Sequence, residues 1–299
     1  MSGYALNDVP DQTGRNILIT GANSGIGYAA AEMLAGKGAR VLVTCRDEAK
    51  GRAAMAKIAG RHPASDLAFL KLDLADLGSV QNAARQVDTV DVLINNAGVM
   101  RPPHSFTADG FELQFGVNHL AHFLLTGLLL PKLARGTDPR VVTVSSIAHR
   151  RGEIFFDNLD GRKGYDDWEF YGQSKLANAL FFTELDRRLQ AAGSPVKSTG
   201  CHPGLAQTGI ARNSAMDLLI PLAGMVFNSA HQGAMPTLQA ATDPEAKGGA
   251  YYGPQQWKET RGPSGPGKLT DQARDPELAA RLWDVSSKLT GFDPGLAPA

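Results

Sequence analysis

Tyr171 and Lys175 stand four residues apart in Tyr171-Gly172-Gln173-Ser174-Lys175, at the head of a long apolar stretch with helical patterning. A helix brings residues i and i+4 to one face, so this spacing can set an ammonium beside a phenol. A free phenol, with a pKa of about 10, stays protonated near neutrality. An adjacent cation stabilises the phenolate and makes the group a proton donor or acceptor usable near neutral pH. Solvated helix faces produce the same pair by chance, so it gains weight only from other chemistry in the chain.

Two further motifs supply that weight. Ser145-Ser146 closes the strand-like run Arg140-Val141-Val142-Thr143-Val144, and strand alternation sends the two serines to opposite faces. The loop Thr20-Gly21-Ala22-Asn23-Ser24-Gly25-Ile26-Gly27 follows the apolar run Ile17-Leu18-Ile19 and opens into an Ala-rich helical stretch at 28–35. Glycines allow the sharp strand-to-helix turn and close approach of backbone to a pyrophosphate, which a helix N-terminus favours electrostatically. Such a loop alone is often only a turn. Here a strand precedes it, a helix follows, and a second strand comes next, the context that dinucleotide binding requires.

The glycine loop, Asn95-Asn96-Ala97-Gly98, Asn118, Ser146 and the Tyr171–Lys175 pair together resemble the short-chain dehydrogenase/reductase family, over about 16–252. Thr44-Cys45-Arg46, Val144-Ser145-Ser146-Ile147-Ala148-His149 and Ser174-Lys175-Leu176-Ala177-Asn178 are similar to its retinol-dehydrogenase-like branch. The resemblance implies a catalytic set of Asn118, Ser146, Tyr171 and Lys175. Tyr171 would exchange a proton with the substrate oxygen, and Ser146, second of the serine pair, would hold that oxygen. Lys175 would lower the phenol pKa and bind the nicotinamide ribose. Asn118 would hold a proton-relaying water, or merely kink its helix.

The resemblance also implies cofactor contacts from Gly21, Asn23, Ser24, Gly25, Ile26 and Gly27, and from Tyr171 and Lys175. Asp73 and Leu74, after the third strand, look like the family's adenine-contacting pair, although Asp73 could instead cap the helix that follows. Asn95, Ala97 and Gly98 follow the apolar strand Val92-Leu93-Ile94. Asn95 is the candidate contact there, or else a tie between strands. Pro203, Gly204 and Thr208 resemble the family's turn after the sixth strand. His202 beside them is expected to be a strand-end residue without an acidic partner.

The end of the second strand bears on the choice of cofactor. NAD binders place an Asp or Glu there to accept from the ribose 2′-OH. This chain has Thr44-Cys45-Arg46. A guanidinium can grip a 2′-phosphate with two hydrogen bonds, so the expected cofactor is NADP(H). The alternative is that Arg46 only pairs with Asp47 or Glu48.

Strand-like runs near 16–20, 40–44, 67–72, 90–94, 140–144, 196–201 and 250–252 alternate with helical runs. Those helices fall at 47–58, 77–86, 111–134, 171–191, 231–241 and 276–289. This is the pattern of an α/β, Rossmann-type doubly wound domain, with about seven parallel strands and helices on both faces. A length of 299 residues suits a single domain of this kind. The segment 261–267 reads as loop by its glycines and prolines, and about 253–299 as a C-terminal extension too short for a second domain.

Between Ser146 and Tyr171 lie Phe155, Phe156, Leu159, Trp168 and Phe170, and 205–227 is rich in Leu, Ile, Ala and Met. Apolar clusters usually build core. The two segments occupy places that resemble those where the family builds its substrate wall and lid, and the resemblance implies a lipophilic or bulky carbonyl or alcohol as substrate.

Thirty basic and thirty acidic residues leave no net charge and no electrostatic footprint for nucleic acid. Two cysteines suit a reduced compartment, and the N-terminus lacks the apolar core of a secretory signal. The most apolar stretches, 123–133 and 217–227, read as too short to cross a bilayer. A cytoplasmic protein without a membrane anchor is expected. His119 and His122 lack a third ligand, so no metal is expected. The apolar helix at 176–189 is a candidate surface for a homo-oligomer. Competing readings of the whole are a non-catalytic NADP-binding regulator, an enoyl reductase and an epimerase, since fold alone does not fix chemistry.

Overall fold

The computed structural model describes residues 3–205 and 228–298. Eight strands form one sheet in the order β3-β2-β1-β4-β5-β6-β7-β8. They are β1 Asn16–Thr20, β2 Arg40–Cys45, β3 Asp66–Lys71, β4 Val92–Asn95, β5 Arg140–Val144, β6 Lys197–Cys201, β7 Tyr251–Gln256 and β8 Arg261–Pro266. All neighbours pair in parallel except β7 and β8. The central strands are apolar on both faces because both faces are covered. Ile17 and Ile19 of β1 pack into one core cluster, while Leu18 between them packs into another on the opposite face.

The sheet order reverses between β1 and β4, which opens a crevice at their carboxyl ends, the place where such folds bind ligands. Helix α1, Gly25–Gly36, starts there. Helices α2 Glu48–Arg61 and α3 Leu77–Gln86 follow. A further helical run covers Leu113–Leu133, made of α4 Leu113–Phe115, a π turn over Gly116–Leu120, and α5 Ala121–Leu133. That run is 21 residues long, enough by length and composition to cross a bilayer, where the sequence reading took its apolar part as too short; 89% of its most apolar window is buried inside this fold.

The eighth strand corrects the sequence reading of a loop at 261–267. Gly and Pro dominate that segment, yet it pairs antiparallel with β7 through Tyr252↔Pro266 and Gly253↔Gly265. Proline lacks a donor and is tolerated at a sheet edge, and the edge is partly closed by Tyr4, whose N–H donates to the Ser264 carbonyl at 2.9 Å.

Helix α6, Asp167–Ala191, begins four residues ahead of Tyr171. Asp166 caps it by accepting from the Trp168 and Glu169 amides, and the acidic residues of its first turn suit the positive end of the helix. Helix α7 is Ala230–Thr242 and α8 is Pro276–Thr290. Trp283 of α8 stacks on Phe181 of α6 and lies edge-on to Phe123. Arg188 covers the same indole. Much of the apolar face at 176–189, the candidate surface for a homo-oligomer, packs against the sheet and the chain's own C-terminal helix.

Candidate active site

The glycine loop turns sharply out of β1. Gly21 and Gly25 have φ of +67° and +58°, a region that side-chain-bearing residues avoid. A Cβ on Gly27 would stand 2.4 Å from Asn96 Nδ2 and 2.5 Å from the Gly21 carbonyl oxygen. The loop and the first turn of α1 thus close on each other as only glycine permits. Ser24 is the N-cap, yet its side chain makes no cap bond, so it leaves the helix N-terminus to another acceptor. These features fit a pyrophosphate.

Beneath the loop lies a buried network absent from the sequence reading. The Thr20 hydroxyl oxygen accepts from the Asn96 and Ala97 amides, each at 2.9 Å, and Asn96 Nδ2 donates to the Thr20 carbonyl at 2.8 Å. His122 Nε2 lies 2.9 Å from Thr20 Oγ1, and its Nδ1 donates to the Asn118 carbonyl at 2.9 Å. Burial pushes the His122 pKa down to about 4, so the ring is neutral and Nε2 accepts from Thr20. Asn95, the expected cofactor contact, is turned inward instead. It is 1% exposed, and its amide donates to Thr126 Oγ1 at 2.9 Å, the geometry of a tie within the core.

Asn118 sits in the π turn. Its amide is matched to Val99, accepting from the Val99 N–H at 2.8 Å and donating to the Val99 carbonyl at 2.9 Å. It also donates to Ser174 Oγ at 2.9 Å. The side chain therefore shapes the floor of the site. Gly98 lies alongside: a Cβ there would approach Asn118 Oδ1 to 3.1 Å and Lys175 Nζ to 3.5 Å.

The two serines divide as alternation requires. Ser145 is buried and donates to the Lys175 carbonyl at 2.7 Å. Ser146 caps the 3₁₀ turn Ile147–Arg151 by accepting from the Ala148 amide, and it stands close enough to the Tyr171 hydroxyl to favour the phenolate. Lys175 Nζ donates to the Val144 carbonyl at 3.2 Å and lies 5.8 Å from the centre of the Tyr171 ring. An ammonium has three donors, so this one keeps capacity for a sugar hydroxyl.

Lys175 does not lower the phenol pKa as the resemblance implied. The phenol pKa is raised, because burial outweighs the hydrogen bond from Ser146. Four-residue spacing brings the ammonium to the ring and to Val144, not onto the phenol oxygen. Burial in turn lowers Lys175 to about 8, which leaves it charged near neutrality.

Arg46 is exposed at the end of β2. Its expected competitors are engaged elsewhere, Asp47 by Lys50 and Glu48 by Arg52, and Arg46 pairs with nothing among the described residues. Asp73 does not cap α3. Asp76 does that, while Asp73 accepts from the Ala75 amide at 3.0 Å. Leu74 is buried, so only its backbone can meet a ligand. His202 has the acidic partner that the sequence did not reveal: its Nε2 lies 3.0 Å from Glu259 Oε2. Thr208 and all of the expected lid at 205–227 except Leu205 lie outside the described residues. Among the described residues no group of three or more His, Cys, Asp or Glu is arranged to hold a metal.

The short chain dehydrogenase family model matches residues 15–219. Mouse (Mus musculus) retinol dehydrogenase 12 is 44% identical over 288 residues, with 93% of this chain and 87% of that protein covered. Mouse polyprenol dehydrogenase is 40% identical over 300 residues, covering 96% and 87%. The crystal structure of an uncharacterised protein from Mycobacterium paratuberculosis superposes with a TM-score of 0.84 at 42% identity, over 99% of this chain and all of that one. By family match, relatives and site geometry, the chain is a short-chain dehydrogenase/reductase of the retinol-dehydrogenase-like branch.

Proposed function

We propose that this protein is an NADP(H)-dependent oxidoreductase that reduces bulky, lipophilic aldehydes or ketones and runs the reverse reaction on the matching alcohols. The observation that carries the reading is the convergence of Tyr171, Ser146 and Lys175: the Lys175 ammonium lies 5.8 Å from the Tyr171 ring, and Ser146 acts on the same phenol. A bound nicotinamide supplies or accepts the hydride. The residues of this chain do the rest. Burial keeps Tyr171 protonated, so it is ready to give its proton to a carbonyl oxygen. Ser146 holds the same oxygen by its hydroxyl. Lys175, with donors to spare beyond Val144, binds the ribose and keeps positive charge beside the phenolate that forms. General acid catalysis of this kind contributes about 10²–10⁴ in rate.

Two observations support a lipophilic substrate. Trp168 stands one helical turn before Tyr171, with ring centres 6.3 Å apart, and is 51% exposed. Arg101 stacks on the same indole at 4.5 Å and is fixed by Asp167. An indole held open to solvent beside the proton donor makes an apolar wall. The named substrates of the two mouse relatives, retinol and a polyprenol, are likewise lipophilic alcohols.

The cofactor preference rests on Arg46. Wild type is expected to favour NADPH over NADH in kcat/KM by about tenfold or more, the size of one charge-assisted contact. Arg46→Asp should erase or invert that ratio, because it removes a phosphate partner and supplies a ribose acceptor. Steady-state kinetics with both cofactors over a panel of aldehydes, ketones, steroids and retinoids checks both statements. A wild type that prefers NADH contradicts the role given to Arg46.

A further inference from the structure

Two loops border the catalytic groups, and both are tied to a residue far outside the motifs. One loop is the 3₁₀ turn Ile147–Arg151 that follows Ser146. The other is the turn Pro203-Gly204, which leaves β6. Glu259 lies between them, at the tip of the β7–β8 hairpin. Its Oε2 takes Arg150 Nη2 at 2.6 Å, His202 Nε2 at 3.0 Å and the Lys268 amide at 3.3 Å.

The tie continues past the carboxylate on both sides. The Gly204 N–H donates to His202 Nδ1 at 3.2 Å, so His202 is neutral and its Nε2 donates to Glu259. The Leu205 amide donates to the Thr260 carbonyl at 2.8 Å, and a Cβ on Gly204 would stand 2.3 Å from that same oxygen. On the other side, His149 Nδ1 donates to the Ser146 carbonyl at 2.6 Å. The His149 and His202 rings both pack on Tyr251 of β7.

The hairpin tip itself is held in an unfavourable backbone. Trp257, Lys258 and Glu259 have φ of +49°, +57° and +66° in succession, a conformation that costs L-residues energy and persists only where the surroundings enforce it. Glu259 is nevertheless 8% exposed. A free hairpin end would relax and hydrate its carboxylate. This one is bent inward onto the two loops.

We infer that Glu259 is a positioning residue for the reaction: from the C-terminal hairpin it locks the Ser146 loop to the Pro203–Gly204 turn across the mouth of the site. The inference rests on the catalytic reading of Ser146 and Tyr171. It assigns a role in the active site to a segment beyond the part of the chain that the family model matches.

The test compares wild type, Glu259→Ala and Glu259→Gln in the full chain, with three readouts. These are amide hydrogen exchange without ligand, NADPH affinity by fluorescence titration, and kcat and KM for one aldehyde. Glu259→Ala should speed exchange about tenfold or more at 147–151 and at 202–205, while β1 and β4 stay unchanged. Its kcat should fall about tenfold or more, the effect of losing one charge-assisted hydrogen bond, with a smaller change in aldehyde KM. Glu259→Gln keeps an oxygen acceptor for Arg150 and His202 and should recover most of both losses. If Glu259→Ala does not fold, Arg150→Met cuts one arm only and should loosen 147–151 but not 202–205. Exchange in both loops within about twofold of wild type in a folded variant overturns the inference, as does Arg150→Met loosening neither loop. Absence of carbonyl turnover by wild type would strike the catalytic reading, and the exchange data would still decide the tie.

Discussion

Replacing Tyr171 by Phe should lower carbonyl reduction by about 10²–10⁴ while leaving NADPH affinity close to that of wild type. The change removes one oxygen, and with it both the proton donor and the partner of Ser146. The ring, its edge-on contact with Trp168 and its place over Lys175 remain, so folding and cofactor binding are spared. Losses confined to kcat, with aldehyde KM little changed, mark an interaction made in the transition state. The proton must come from a half-buried phenol whose pKa is raised, so reduction should hold its rate through neutral pH instead of failing below it. Near-normal turnover by a folded Tyr171→Phe protein removes Tyr171 from the chemistry.

Folding stability should collapse on mild acidification. Three histidines are buried and held far below the ordinary imidazole value of 6.5: His119 at about 3, and His122 and His149 at about 4. Burial is the largest cause in each case. The sign follows from linkage: below pH 6.5 the unfolded chain binds these protons and the folded chain does not, so acid favours unfolding. The stabilisation is whole above about pH 6.5 and is lost progressively down to about pH 4. Each site contributes about 1.4 kcal/mol per pH unit in that window, so the three together give a slope of about 4 kcal/mol per unit. A typical domain has only about 5–15 kcal/mol in total. Burial also pushes Glu112 and Asp186 up. Those carboxyls oppose the trend, but only towards the carboxylate range. Urea unfolding at several pH values between about 7.5 and 5 reads the slope directly. Stability that is flat across that range contradicts the buried, neutral state of these rings.

The parts of this structure that were legible in the sequence share one physical property: local patterning settles them. Strands β1, β4 and β5 are continuous apolar runs because both sheet faces are covered. The glycine loop is legible because only glycine suits its turn. Ser145 and Ser146 separate because strands alternate. Where the outcome depends on distant partners, the sequence is silent. His202 meets Glu259 across 57 residues, and only the β7–β8 hairpin brings them together. That hairpin was itself hidden, because Gly and Pro at 261–267 have the composition of a loop and the position of an edge strand. Asn95 and Asn96 are neighbours at the end of β4, and register alone sends one into the core and the other to the glycine loop. The direction of the phenol shift likewise escaped. Spacing places Lys175 near Tyr171, but burial and the exact reach of the ammonium decide the sign. Helix α6 starts early because Asp166 caps it, a signal present in the sequence ahead of the apolar run.

The central claim is that hydride passes between nicotinamide and a carbonyl carbon at this site, and labelled hydride tests it most directly. The protein is supplied with NADPH carrying deuterium at the transferable C4 position and with a bulky aldehyde or ketone, and the product is read by mass spectrometry. The account predicts one deuterium on the carbinol carbon of the alcohol, formed in step with NADPH consumed, and almost none of this product from Tyr171→Phe. With an α,β-unsaturated substrate, deuterium found on the β-carbon while the carbonyl stays intact would mark an enoyl reductase. Cofactor that binds but transfers no label to any carbonyl would mark a binding protein. Either result contradicts the account.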